Sequence, residues 1–129
     1  MFPQSSSYKE QNLITFEEQL GFSIPDSIKW FLLNGEGGIG IENFDDSVKL
    51  TLDCRKSINL PTNILILNDW GDSGVVFLIL ETPQEYKIVW SHEHELIEYI
   101  ETRSIPENAD IYKNFYKWLK NCIQLEDDF

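Results

Sequence analysis

Three apolar runs in the second half of the chain place the strongest constraint on its fold. They cover Ile64 to Leu67, Val75 to Leu80 and Tyr86 to Val89 or Trp90. Their β-branched and aromatic residues favour strands. The two connectors, residues 68–74 and 81–85, are turn-like and short, and short connections favour antiparallel pairing. The sequence therefore predicts an antiparallel sheet.

Two helices are predicted before this sheet. Thr15 and Glu18 stand at capping-box spacing, and Gly21 occupies the usual position of a left-handed C-terminal cap, so a short first helix is expected to end at Leu20. The pair Pro25-Asp26 favours the start of a second helix. We expect the apolar stripe of that helix to be substantially buried; it contains Ile28, Trp30, Phe31, Leu32 and Leu33.

The remaining elements are predicted from the period of their apolar residues. Alternation at Val48, Leu50 and Leu52 predicts a half-buried strand, whereas Leu96 to Ile100 fits either a strand or a helical turn. From Asp110 onward a C-terminal helix is predicted, with a buried face formed by Ile111, Phe115, Trp118, Leu119, Cys122 and Ile123. Three tryptophans are expected in the core: Trp30, Trp90 and Trp118.

The predicted fold class is α+β, in which two N-terminal helices and a C-terminal helix pack against a mainly antiparallel β-sheet. A chain of 129 residues suits one domain. We expect residues 1–10 to form a flexible lead-in and residues 11–129 to form the domain. The domain closes with the acidic tail Glu126-Asp127-Asp128.

The charge balance is strongly acidic, with 22 Asp and Glu against 10 Lys and Arg and a net charge of -12. Such a surface repels nucleic acid and anionic membranes and attracts basic partners by long-range steering. Selection for solubility explains the same balance about equally well. The N-terminus has no secretory signal, no apolar run is long enough for a membrane span, and Cys54 and Cys122 lack CxxC spacing. These features predict a cytoplasmic protein with free thiols.

The glycine-rich stretch NGEGGIG, residues 34–40, contains the G-x-G-x-x-G spacing of dinucleotide-binding loops. Such a loop needs a strand before it and a helix after it, because the pyrophosphate lies at the helix N-terminus. Here a predicted helix precedes the glycines, none is predicted after them, and Glu36 adds a negative charge. We therefore interpret Gly35 as a helix stop and the following glycines as a tight turn.

The two histidines, His92 and His94, alternate with Glu93 and Glu95. In an extended segment both imidazoles would point to one side and could share a metal, but H-x-H is far less specific than H-E-x-x-H. Exposed polar residues after a strand are the simpler interpretation. Carboxylate pairs are too abundant to single out an acid-base pair. No catalytic residue, metal or cofactor is therefore predicted, and a small metal-dependent hydrolase is kept only as an alternative.

Several short motifs, in order along the chain, resemble the SUKH superfamily. Residues 16–35, FEEQLGFSIPDSIKWFLLNG, contain the Leu-Gly, Ile-Pro, Phe-Leu and Asn-Gly pairs of that family and are followed by Gly37-Gly38. Residues 68–74, NDWGDSG, resemble its glycine-and-acid turn between strands. Residues 89–93, VWSHE, resemble its strand that ends in an aromatic residue, His and an acid, and residues 111–119 match its final helix.

The resemblance implies helices packed on an antiparallel sheet and, for many bacterial members, a role as immunity proteins that bind a cognate toxin. Those toxins are often nucleases or nucleic-acid deaminases with basic surfaces. We therefore expect an acidic surface to occlude the toxin stoichiometrically, without turnover. Nucleic acid, membranes and small molecules are not expected as partners. A regulatory or scaffold protein-interaction module is the alternative, since eukaryotic relatives in the superfamily act in signalling and cell-wall control.

The family does not fix the contact residues. We expect contacts from acids beside rigid turns and from one exposed aromatic residue. These predicted contacts are Glu36, Glu42, Asp45, Asp46, Asp69, Trp70, Asp72, Glu93 and Glu95.

Overall fold

The computed structural model describes residues 8–34, 43–82, 85–105, 107 and 109–120. The helices and strands follow the chain in the order α1 (Glu10–Leu20), α2 (Asp26–Asn34), α3 (Phe44–Ser57), β1 (Ile64–Asp69), β2 (Val75–Leu80), β3 (Tyr86–Ser91), α4 (Glu93–Thr102) and β4 (Asp110–Tyr112). A 3₁₀ turn, Gly71–Ser73, lies between β1 and β2, and residues 115–120 are helical. The predicted α+β class is confirmed.

The strands form one antiparallel sheet in the order β1-β2-β3-β4. The three strands predicted from the apolar runs are all present. Their side chains alternate between two cores, one on each face of the sheet. The first core includes Leu65, Leu67, Val76, Leu78, Tyr86 and Ile88, together with residues of α1, α2 and the 115–120 helix. The second core includes Ile64, Ile66, Val75, Phe77, Ile79 and Val89, together with Leu96 and Tyr99 of α4.

Helix α1 begins earlier than predicted. The Oδ1 of Asn12 accepts a 2.9 Å hydrogen bond from the N–H of Lys9, just before the helix. Thr15 lies inside the helix, where its hydroxyl donates to the carbonyl of Gln11. The predicted capping box of Thr15 and Glu18 is therefore wrong, because Asn12 already satisfies the helix N-terminus one turn upstream.

The other predictions for the N-terminal region have mixed outcomes. Helix α1 ends at Leu20, and Gly21 adopts the left-handed conformation with φ of +83°, as predicted. Tyr8, within the predicted lead-in, packs on the domain: its hydroxyl accepts from the N–H of Phe44 at 2.9 Å, and its ring meets that of Phe16 edge-on. Residues 1–7 lie outside the described part of the chain.

Helix α2 buries Ile28 and Leu32 but leaves Trp30 62% exposed. The expectation that Trp30 belongs to the core is wrong, because at 100° per residue it points away from the side formed by Ile28 and Leu32. Trp118 is buried, as predicted. Trp90 is half-buried and packs against the first core.

Residues Phe44–Ser57 form helix α3, so the strand predicted from Val48, Leu50 and Leu52 is wrong. The Oδ1 of Asn43 accepts from the N–H of Asp46 and caps the helix. Acids in the first turn and bases in the last turn complement the helix dipole. These signals at the two ends of the helix favour α3 more strongly than the alternation of Val48, Leu50 and Leu52 favours a strand.

The statement that no helix follows the glycine-rich stretch is corrected by α3 as well. Helix α2 precedes that stretch, whereas a dinucleotide-binding loop is preceded by a strand. The stretch therefore still differs from a dinucleotide-binding loop. Gly35 and the rest of the stretch, up to residue 40, lie outside the described residues.

Helix α3 covers the outer edge of β1. The Oγ of Ser47 donates to the carbonyl of Leu67 at 2.6 Å, and the N–H of Ile66 donates to the Oγ1 of Thr51 at 2.9 Å. Leu67 lies where the β1–β2 register shifts between Ile66 and Asn68. The hydroxyls of α3 thus satisfy backbone groups that the neighbouring strand does not reach.

The segment from Leu96 to Ile100 belongs to α4, which settles the open choice in favour of a helix. The predicted C-terminal helix begins later than expected, because Ile111 lies in β4 opposite Val89 and is 50% exposed. Phe115 and Trp118 are buried as predicted. Residues 121–129, which include Cys122, Ile123 and the acidic tail, lie outside the described residues.

Candidate functional site

Three of the predicted contacts come together at one end of the sheet. Asp69 pairs with Val75, and Val75 pairs with Ser91 on the next strand. At about 4.8 Å per strand, the ends of β1 and β3 are roughly 10 Å apart. Asp72 lies in the turn after β1, and Glu93 follows β3. The fold therefore places Asp69, Asp72 and Glu93 at the same end.

Helix α3 adds carboxylates beside this end. Asp46, Leu50 and Asp53 lie on one side of the helix, at i, i+4 and i+7. A groove of about 230 Å³ separates the start of α3 from the end of β1, and it is lined by Asn43, Asp46, Ser47, Leu50, Leu67, Asn68 and Asp69. We use the term acidic surface for the exposed carboxylates Asp46, Asp53, Asp69, Asp72 and Glu93.

The Cys54 thiol lies within the field of these carboxylates. Burial raises its pKa above the ordinary value, and the charges of Asp53, Asp69 and Glu93 raise it further. The three carboxylates belong to α3, β1 and α4, and Asp53 is the residue that precedes Cys54 in the chain.

The carboxylates of the acidic surface form no ion pairs with described residues. The ion pairs between described side chains join Lys29 to Glu17 at 3.1 Å and Lys87 to Glu81 at 3.2 Å, both away from this surface. Lys49 lies between Asp46 and Asp53 in the sequence, yet it pairs with neither within 4.0 Å. The charge of the acidic surface is therefore open to a cationic partner.

Trp70 follows Asp69 in the sequence and precedes the 3₁₀ turn Gly71–Ser73 between β1 and β2. The backbone N–H of Trp70 donates to the carbonyl of Gly74 at 2.8 Å, and the backbone carbonyl of Trp70 accepts from the N–H of Ser73 at 3.1 Å. The Oδ1 of Asp69 accepts from the N–H of Gly71 at 2.9 Å. The Trp70 ring lies 6.2 Å from that of buried Trp118 and remains 38% exposed.

The indole of Trp90 fixes the other side of the turn. Its Nε1–H donates to the carbonyl of Ser73 at 3.0 Å, and the ring lies so close to Gly74 that a Cβ there would overlap it. The ring of His92 meets Trp90 edge-on at 5.1 Å, and the ring of His94 stacks on His92 at 5.9 Å. The turn is thus held by backbone hydrogen bonds and by the indole of Trp90.

Glu95 does not belong to the acidic surface. It is only 7% exposed, and its Oε1 accepts a 2.9 Å hydrogen bond from the N–H of His92 at the start of α4. The expectation that Glu95 is an exposed acid is therefore wrong, because its carboxylate caps the helix. Asp45 is exposed in the first turn of α3 but does not line the groove. Glu36 and Glu42 lie outside the described residues.

Asp53 is the acid that sequence reasoning missed. On the predicted strand it shared a side with Lys49 and Thr51 and carried no special meaning. In helix α3 its spacing from Asp46 and Leu50 brings it to the acidic surface. The capping signal of Asn43 before two acids would have predicted this helix and the shared side.

The hydrolase alternative required a third metal ligand beside His92 and His94. Among the described residues, no group of three or more His, Cys, Asp or Glu side chains is arranged to hold a metal ion. The two imidazoles stack nearly parallel instead, with 4° between the ring planes.

Comparisons of the chain with protein-family models, curated proteins and solved structures found no match. Within the described segments, no helix is long and apolar enough to cross a bilayer.

Proposed function

We propose that this chain is a cytoplasmic immunity protein that binds a basic bacterial toxin domain and blocks it without turnover. The observation that carries the proposal is the position of Asp46 and Asp69 on the two sides of the α3–β1 groove, with Asp72 and Glu93 exposed at the same end of the sheet. Carboxylates without local ion pairs attract a basic surface by long-range steering. A partly exposed tryptophan on a rigid turn supplies an anchor of the kind that dominates many interfaces.

The rigidity of this surface also suits a tight inhibitor. Asp46 and Glu93 lie at helix starts, Asp69 lies at a strand end, and Trp90 holds the turn that carries Trp70 and Asp72. A surface that is already ordered loses little side-chain freedom on binding, so more of the contact energy remains as affinity. A nuclease or nucleic-acid deaminase whose cleft is covered by carboxylates would exclude its polyanionic substrate.

The direct test is neutralisation of a toxin domain encoded beside this gene. We expect co-expression to restore growth, and the purified proteins to form a 1:1 complex that lacks toxin activity. The double variant Asp69→Asn, Glu93→Gln should bind more weakly than Asp26→Asn, Glu101→Gln, which removes the same charge from exposed sites outside the acidic surface. Absence of both binding and protection with every adjacent toxin domain would refute the proposal. Equal weakening by both variants would refute the assignment to this surface.

A further inference from the structure

The groove between α3 and β1 is shaped by an extra residue in the strand. Leu67 has no partner on β2, because the register shifts between Ile66 and Asn68, and its carbonyl accepts from the Oγ of Ser47 instead. Asn68 pairs with Val76 of the first core, so its side chain turns to the same face as Leu67. Strand irregularities of this kind often lie beside functional sites, where they redirect a side chain. Here the extra residue brings the amide of Asn68 to the lining of the groove.

The lining combines apolar, neutral polar and charged side chains. Its apolar part is formed by Leu50 and Leu67. Among its polar residues, Asn68 is buried, whereas Asp46 on α3 and Asp69 on β1 are exposed. Neither carboxylate forms an ion pair with a described residue. Two unpaired carboxylates beside an apolar lining suit a cation that is carried on an apolar stem.

The volume of the groove limits the size of its occupant. The groove measures about 230 Å³, which is less than the roughly 300–1,000 Å³ of pockets that hold drug-sized ligands. A free small molecule would find few contacts there. A single side chain of a docked protein needs fewer, because the surrounding interface contributes the rest of the binding energy.

We propose that the α3–β1 groove receives a lysine side chain of the partner. This inference rests on the proposed function for the identity of the partner, a basic protein. The four-carbon stem lies along Leu50 and Leu67. The ammonium, a compact charge with three donors, donates to Asp46 on one side and to Asp69 on the other. Arginine fits less well, because its planar fork pairs with both oxygens of one carboxylate, and the Oδ1 of Asp69 already accepts from the N–H of Gly71.

The experiment uses the full chain without a toxin and follows its backbone amide signals by NMR. N-acetyl-lysine methylamide is titrated at constant ionic strength. The controls are the same compound acetylated on Nε, which keeps the stem without the charge, and the arginine compound; calcium chloride tests a metal ion as the occupant. We expect a saturable shift of the Ser47 and Asn68 signals with the lysine compound, and smaller shifts of both signals with every control.

Removal of the carboxylates should weaken this binding. We expect Asp46→Asn, Asp69→Asn to lower the apparent affinity for the lysine compound about two- to fivefold, whereas Asp26→Asn, Glu101→Gln leaves it unchanged. The asparagine at position 69 keeps an acceptor for the N–H of Gly71, so the turn is preserved.

Four outcomes would overturn the inference: no saturable shift, equal binding of the lysine and arginine compounds, tighter binding of calcium than of the lysine compound, or no effect of the Asp46 and Asp69 substitutions. Because no toxin is present, these outcomes are independent of whether the chain neutralises one.

Discussion

The Oγ1 of Thr51 accepts a 2.9 Å hydrogen bond from the backbone N–H of Ile66, so a helix side chain completes the hydrogen bonding of an edge strand. Both residues are buried. Without the hydroxyl, the N–H of Ile66 would be excluded from water with no acceptor. The contact between Thr51 and Ile66 also positions α3 against β1. Because α3 forms one wall of the groove, the contact positions that wall as well.

Replacement of Thr51 by Val should therefore destabilise the protein by about 1–3 kcal/mol, the usual cost of a buried backbone group left unsatisfied. Thr51→Ser should recover most of the loss, because it keeps the acceptor. Thr15→Val is the matched control, since the Thr15 hydroxyl bonds in an exposed part of α1; its effect should stay within about 0.5 kcal/mol. Urea unfolding measures all three, and equal effects of the two Val variants would contradict this role of Thr51.

The turn that carries Trp70 depends on a glycine at position 74. Gly74 has φ of +105°, and a Cβ there would overlap the Trp90 indole. Gly74→Ala should therefore cost about 3 kcal/mol or more, from backbone strain and overpacking together. Gly21→Ala should cost only about 1–2 kcal/mol, because Gly21 has positive φ but open space around its Cα. Urea unfolding of both variants tests the difference, and similar losses would mean that Trp90 moves aside.

Glu95 should matter for stability and not for binding. Its buried carboxylate accepts from the N–H of His92, so Glu95→Ala should lower stability by about 0.5–2 kcal/mol. Glu95→Gln keeps an acceptor and should lose less. Glu98→Ala, at an exposed position of the same helix, is the control. Thermal unfolding and partner affinity should be measured for each variant. If Glu95→Ala lost affinity but kept its stability, Glu95 would be a contact residue after all.

The strands and the class of fold were predictable because each apolar run has its own local turn signals. Val75 to Leu80 is apolar throughout, as expected for a strand with a core on each face. Helix α3 was missed for a physical reason. It lies at the edge of the sheet, so Val48 and Leu52 face the first core while Leu50 faces the second. A helix with apolar residues on two sides loses the single stripe by which helices are recognised.

The candidate site was predictable only in part. The acids of the β1–β2 turn stood out as polar residues between strands, and Asp69 and Asp72 are indeed exposed there. The position of Asp69 across the groove from Asp46 depends on how α3 docks along β1, which no local pattern encodes. The burial of Glu95 depends on which N–H group it caps. Long-range packing therefore decides the membership of the acidic surface, even where composition predicts its charge.

The pKa of the Cys54 thiol should respond to the acidic surface. Asp69 and Glu93 raise that pKa, so less thiolate is present at a given pH than in their absence. Asp69→Asn, Glu93→Gln should lower the pKa and speed alkylation of Cys54 at pH 8, read by mass spectrometry of its peptide. Asp26→Asn, Glu101→Gln should leave the rate unchanged. Equal rates in the wild type and both variants would contradict the placement of these carboxylates near Cys54.

The same raised pKa has a consequence for stability. In the unfolded chain the pKa of the thiol is about 8.5. Because the folded state holds the proton more tightly, the contribution of Cys54 is fully present below that pH and is lost as the pH rises through the folded pKa. Cys54→Ser should therefore flatten the alkaline fall in stability, which urea unfolding between pH 7 and about pH 10 would measure.

Association with the toxin should depend on where the negative charge lies. Asp69→Asn, Glu93→Gln should slow association roughly threefold or more at low salt, because steering depends on the potential at the docking surface. Asp26→Asn, Glu101→Gln has the same net charge and should change the rate much less. The difference should shrink near 1 M salt, where the Debye length falls to about 3 Å. Stopped-flow mixing at several salt concentrations measures these rates. A wild-type rate that is equally fast at low and high salt would refute electrostatic steering, while equal slowing by both variants would show that net charge alone, and not the acidic surface, guides docking.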